Sequence, residues 1–176
     1  MARSLLILYL LFAAKTLLSQ IQQTVRAIDS DWQFRELNEH SWLPAQVPGT
    51  IHTDLIANGI IEDPYYRLNE RKVQWVDKKD WIYQTTFDLD AQSFSRENHE
   101  LNFEGLDTYA TVYLNDSIIL QSNNMHRTHM VNVKPYLLEG DNVLRVLLES
   151  PIRKGLALYD SLSYVLPVSA NDQAAV

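Results

Sequence analysis

The side chains able to do chemistry here are five histidines and twenty-two acids, with no cysteine among 176 residues. His126 and His129 stand three positions apart, a spacing that shares a face on a helix. They lie in strand-patterned sequence, where positions i and i+3 point to opposite sides. No third ligand is near, so no metal site is assigned. His40, His52 and His99 are scattered, and His52, beside Thr53, reads as a packed or capping residue rather than a base. The Gly-x-Ser-x-Gly pattern of a nucleophile elbow is absent. Five glycines are spread too thinly to cradle a phosphate. Lack of cysteine removes disulfides, thiolate metal sites and a cysteine nucleophile together.

Two Asn-Glu dipeptides, Asn38-Glu39 and Asn69-Glu70, match a pair that some glycosidases use at a catalytic acid. Neither follows an apolar barrel-type strand, so both read as loop residues. Trp32, Trp42, Trp75, Trp81, Tyr65 and Tyr66 are open to two readings. They could stack sugars, or fill the core and its edges, which is the commoner use of large aromatics. The residues by themselves therefore assign no catalytic, substrate-binding or metal-binding position and imply no cofactor.

Fifteen basic residues against the twenty-two acids leave a net charge of −7, with 46% hydrophobic and 21% charged residues. That is a globular composition. It lacks the basic stripe that nucleic-acid binding requires. Residues 1–20 carry Arg3, an eleven-residue apolar run over 4–14, then Lys15 and a glutamine-rich stretch. The run is too short to span a bilayer as a helix, so it predicts a secretory signal peptide within residues 1–27, cut after Ser19 or Ala27. A soluble domain would follow at 28–176, secreted or periplasmic, or lysosomal in an animal, with no stable membrane anchor. The triplet Asn115-Asp116-Ser117 meets the N-glycosylation pattern, one that arises often by chance and by itself carries no functional weight.

The elements that must position these residues are mostly strands. A first short strand is expected over 31–34. Two prolines and a glycine over 43–50 prevent a long helix. Thr53 is read as the N-cap of a brief helix over 54–58, ended by Gly59. Residues 62–67 form a turn-rich link, because Pro64 pushes Asp63 out of helical backbone. From Trp81 the pattern has period two: Trp81, Tyr83, Thr85, Phe87 and Leu89 share a face of a half-buried strand. Leu101 with Phe103, then Ala110, Val112 and Leu114, repeat the signal. Asn115-Asp116 makes a hairpin turn returning over 117–121. Further strands are expected over 125–133 and, after a turn at 139–142, over 143–149. Residues 154–163 suit a short helix or a loop. Such spacing predicts an all-β antiparallel sandwich or barrel with one or two short helices. The chain then ends at Val176 without a closing strand, as a truncated domain would.

Several motifs in linear order resemble one family. Trp42-Leu43-Pro44-Ala45-Gln46-Val47-Pro48-Gly49-Thr50-Ile51-His52-Thr53-Asp54-Leu55 is followed by Asn58-Gly59-Ile60-Ile61-Glu62-Asp63-Pro64-Tyr65-Tyr66-Arg67. Next come Gln74-Trp75-Val76, Asp80-Trp81-Ile82-Tyr83, Phe103-Glu104-Gly105-Leu106-Asp107-Thr108-Tyr109-Ala110, Val112-Tyr113-Leu114-Asn115 and Gly140-Asp141-Asn142-Val143-Leu144. Over about residues 29 to 166 this is similar to the N-terminal domain of β-mannosidases, in the glycoside hydrolase family that also holds β-galactosidases and β-glucuronidases. The resemblance implies a jelly-roll β-sandwich, galactose-binding-domain-like, that precedes an immunoglobulin-like domain and a (β/α)8 barrel. The barrel carries both catalytic glutamates, which in a retaining enzyme stand about 5–5.5 Å apart. A barrel takes about 250 residues, so none fits in this chain. The family's Trp-Asp-Trp-Gly motif is not reached either. The resemblance thus implies a β-mannosidase fragment, inactive alone, whose oligosaccharide substrate is met through a longer parent. Asp80 and Trp81 lie near where relatives present a loop to the active site, without being assigned to binding. The alternatives are a free-standing carbohydrate-binding module and the same domain of a β-galactosidase or β-glucuronidase.

Overall fold

A computed structural model describes residues 23–164. The period-two run starting at Trp81 becomes a nine-residue strand at the centre of a sheet, and the other elements assemble around it. In chain order they are β1 (Gln33–Glu36), β2 (Leu43–Pro44), α1 (Ile51–Ala57), β3 (Trp81–Leu89), α2 (Ala91–Phe94) and β4 (Glu100–Phe103). There follow β5 (Tyr109–Leu114), β6 (Ser117–Ser122), β7 (His129–Asn132), β8 (Gly140–Glu149) and α3 (Pro151–Asp160). One-turn 3-10 helices occupy Asn69–Lys72, Val76–Lys78 and Lys134–Tyr136.

Six strands form one antiparallel sheet in the order β2-β1-β3-β8-β5-β6, and β4 pairs with β7 in a second. The longest contact is β3 with β8, in register from Trp81 opposite Leu148 to Leu89 opposite Gly140. Alternation then does what the sequence predicts. Phe34, Trp81, Tyr83, Val112, Leu144 and Val146 point into one cluster, joined by Trp32 and by Leu55 of α1. Leu101 and Phe103 of β4 pack against that cluster from the second sheet. Leu114, Val133 and Leu137 make a smaller centre with Val131 of β7 and Phe94 of α2. Two sheets packed through their inner side chains are a β-sandwich. The expected antiparallel galactose-binding-like fold is what this chain adopts.

Element ends differ from expectation for local reasons. The brief helix starts earlier, because Thr50 rather than Thr53 is its N-cap: the Thr50 hydroxyl accepts from Thr53 N, and Thr53 Oγ1 accepts from Thr50 N at 3.1 Å. This reciprocal box satisfies two donors that a helix start leaves free. Gly59 follows with φ +69°, as a terminating glycine must. The first strand begins at Gln33, since Asp31 has φ +57° and bends the chain. The strand expected over 125–133 shrinks to β7, because His126 N donates to Asn124 Oδ1 and makes a turn. β8 reaches back to Gly140, which is left-handed at φ +86°, so the turn before it is tighter than foreseen. Residues 154–163 resolve mostly as helix, inside α3. Among the described residues three short α-helices thus stand where one or two were expected.

The predicted signal peptide falls, for residues 1–22, outside the described residues. Among the described residues no helix is long and apolar enough to cross a membrane.

Candidate functional site

The side chains that sequence singled out are carried to separate places. His126 sits in the exposed turn after β6, and His129 opens β7 with Nε2 3.1 Å from Ser122 Oγ. His52 is a half-buried member of α1, His40 is exposed, and His99 Nε2 lies 3.0 Å from Ser93 O. Among the described residues no three His, Asp or Glu side chains gather as a metal ion would require. Asn38-Glu39 lies at a turn, where Glu39 offers its backbone oxygen to Arg35. Asn69-Glu70 instead opens a 3-10 helix rather than a loop, with Asn69 buried and its Nδ2 donating to Asp63 O at 3.1 Å.

The aromatic set divides. Trp32 and Trp81 are core residues, each with its indole N–H donating to a carbonyl, of Ile28 and Val76, both at 2.9 Å. Trp75 packs beside Trp81 at 6.1 Å between ring centroids. Trp42 lies under the Arg35 guanidinium at 4.7 Å. Tyr65 and Tyr66 face solvent, 97% and 58% exposed, with Arg67 over the Tyr66 ring at 5.1 Å. Three of six therefore fill or edge the core, Trp42 is half-buried beneath Arg35, and an exposed pair is left that could meet a sugar face.

Sequence reasoning missed Asp54. It is 2% exposed, and among the described residues no other carboxylate is so enclosed. One oxygen accepts from Gln46 N at 2.9 Å and the other from Tyr83 Oη at 2.8 Å. Burial, then this carboxylate beside it, push the Tyr83 phenol well above its ordinary value. The available cue was Tyr83 itself, since a tyrosine on the inward face of a strand needs a partner for its hydroxyl. A hollow of about 200 Å³ adjoins Asp54, bounded by the Pro44–Gln46 segment and α1. Asn58 Nδ2 crosses it, donating to Pro44 O at 2.9 Å and Asp54 O at 2.8 Å. With both oxygens engaged, Asp54 is a clamp between loop, helix and sheet.

A second hollow of about 290 Å³ is walled by Ile60, Ile61, Val73 and Trp75, with Glu62, Asn69 and Lys72 at its rim. Lys72 donates to Glu62 at 2.8 Å and holds that carboxyl below the usual range, so this acid stays ionised. Asp80 is engaged too. It accepts from Ser150 N at 2.7 Å and pairs with Arg153. Burial pushes the Asp80 carboxyl up, but Arg153 and the Ser150 N–H outweigh it and hold the group low. Asp80 anchors the start of α3, and Trp81 next to it is inside the core.

The fold and these paired side chains describe a β-sandwich domain with two hollows on its surface. The family profile for the glycosyl hydrolase 2 galactose-binding domain-like domain matches residues 32–176. The chain belongs to that family. It is 40% identical over 126 residues to Beta-mannosidase B of Aspergillus terreus, an alignment covering 69% of this chain and 15% of that protein. It also resembles the crystal structure of β-D-mannosidase from Dictyoglomus thermophilum, with TM-score 0.79 and 38% identity over 81% of this chain and 18% of that one. The β-D-glucuronidase of the same organism shares the fold, with TM-score 0.55, 13% identity, and coverage of 83% and 23%. The chain thus spans about one sixth of the curated relatives it matches.

Proposed function

We propose that this sequence is the N-terminal part of an exported, retaining β-mannosidase that removes terminal, non-reducing β-D-mannose residues from oligosaccharides. The observation that carries the proposal is the 40% identity to a protein named Beta-mannosidase B, over 15% of that protein's length. In this reading the sandwich walls one side of a sugar pocket, while an acid/base and a nucleophile come from a downstream barrel about 5–5.5 Å apart. That Asp54, Glu62 and Asp80 each have hydrogen-bonded partners within the sandwich supports this division of labour. Its oligosaccharide partner is met through the longer polypeptide.

The test is turnover of an aryl β-mannoside by the 176-residue chain and by a polypeptide extended through the barrel. The extended protein is expected to hydrolyse it and the short chain to leave it untouched; release of aryl alcohol by the short chain overturns the proposal. The exposed Tyr65 and Tyr66 favour one second reading, a carbohydrate-binding module. Titration with mannose and manno-oligosaccharides separates the two, because millimolar or tighter binding by the short chain supports the module.

A further inference from the structure

The triplet Asn115-Asp116-Ser117 is the one Asn-x-Ser/Thr acceptor pattern in the sequence. Its surroundings give it a meaning that its pattern lacks. Asn115 and Asp116 are the two residues of the β5–β6 turn, both left-handed at φ +48° and +65°, as a two-residue hairpin loop needs. The Asn115 side chain points back into the sheet. Its Nδ2 donates to Tyr136 O and to Asn142 Oδ1, each at 2.8 Å. Its Oδ1 accepts from Val143 N at 2.9 Å, while its own backbone N donates to Val143 O at 3.0 Å.

An N-linked sugar forms a bond from its C1 to Nδ2 and displaces one of the two hydrogens there. In this fold neither hydrogen is spare. Whichever is replaced, a carbonyl oxygen at hydrogen-bond distance would face a sugar carbon. One of those acceptors belongs to Asn142, which is 0% exposed and also holds Leu138 N, Leu138 O and Gly140 O. Asp116 closes the turn from the other side, paired with Arg145, whose Nε is tied to Gln84 at 2.8 Å.

We infer that the fold itself closes this glycosylation acceptor: a glycan on Asn115 and the native β5–β6 hairpin exclude one another. The partners that close it lie 21 to 28 residues downstream. The acceptor is therefore open while the chain emerges and shut once β8 has docked. Glycan occupancy at Asn115 would then record whether transfer or folding came first, and only molecules that fold first become native. This holds in any glycosylating host, whatever the parent enzyme's substrate.

The experiment expresses the full chain in a glycosylating secretory host and reads occupancy by intact mass and peptide mapping. Limited proteolysis sorts folded from unfolded molecules. Protease-resistant material is expected to carry unmodified Asn115, and any glycan-bearing fraction to be cleaved at least about tenfold faster, as a population shifted by roughly 1.4 kcal/mol toward the open form would be. Ser117→Ala, which removes the pattern at an exposed position, should match the unmodified protein in resistance. Asn142→Ala removes the lock and should raise occupancy several-fold, whether or not that variant is stable. A resistant fraction fully glycosylated at Asn115 overturns the inference. So does Asn142→Ala remaining unmodified, which would mean that the triplet is a poor acceptor irrespective of folding.

Discussion

The hydroxyl of Tyr83 lies inside the sandwich, where a polar group without a partner is costly, and the Asp54 carboxylate answers it. Replacing Tyr83 by Phe leaves a buried carboxylate oxygen short of a donor. The expected loss is about 1.5–3 kcal/mol, the range for hydrogen bonds to charged groups, read from urea unfolding at pH 7. The pH dependence has a definite sign. Because the folded phenol titrates above its ordinary value near 10.0, its contribution is complete below that pH and is lost as pH rises. Above about pH 10 the native protein should lose stability relative to Tyr83→Phe by roughly 1.4 kcal/mol per pH unit. Parallel curves for the two proteins in that range would show that Tyr83 is not the group responsible.

At Gly49 the constraint is space rather than charge. A Cβ there would overlap the Gln46 carbonyl oxygen, in the loop whose Gln46 N–H reaches Asp54. Gly49→Ala must shift that backbone, and should cost about 1–3 kcal/mol, as overpacking typically does. Thermal melting that is unchanged by this substitution would show that the loop has slack the geometry denies.

Among elements, the junction of β3, β8 and α3 shows how strand ends are tied. Asp80 precedes β3 and Ser150 follows β8. The Ser150 hydroxyl donates to Asp77 O at 2.7 Å and accepts from Arg153 N at 3.1 Å, capping α3 while fixing it to the Val76–Lys78 turn. Asp80 completes the knot through Ser150 N and Arg153. Since its carboxyl is held below the ordinary value of 3.8, its contribution is present above that pH and declines as pH falls through the folded value. Asp80→Asn should therefore lower the melting temperature at pH 7 and show a smaller deficit as pH falls below the ordinary value of 3.8. Equal deficits at both pH values would assign the effect to geometry alone.

On the scale of the molecule, the two sheets are unequal. Among the described residues six strands face two, and inner residues Leu101, Phe103 and Val131 stay half-buried. A sheet of two strands offers open edges that invite another strand. Extending the polypeptide along the length of its relatives should raise its unfolding midpoint by supplying that cover. If a chain longer by one or two strands melts where the 176-residue chain does, the second sheet is already sufficient as it stands.

Much of this architecture was legible in the order of residues. Period two at Trp81, Tyr83 and Thr85, the Asn115-Asp116 turn and the alternation over Ala110, Val112 and Leu114 follow from local backbone geometry, which acts between near neighbours and needs no fold to be read. The ordered motifs from Trp42 to Tyr83 likewise pointed to the family that the profile match bears out. What only the tertiary structure decided is which polar groups are engaged. Tyr83 meets Asp54 across 29 residues, Asp80 meets Ser150 across 70, and Asn115 meets Asn142 across 27. Each pairing depends on strand register and sheet order, so a side chain that looks available in the sequence becomes a structural tie when a distant carbonyl, amide or hydroxyl arrives within hydrogen-bond reach.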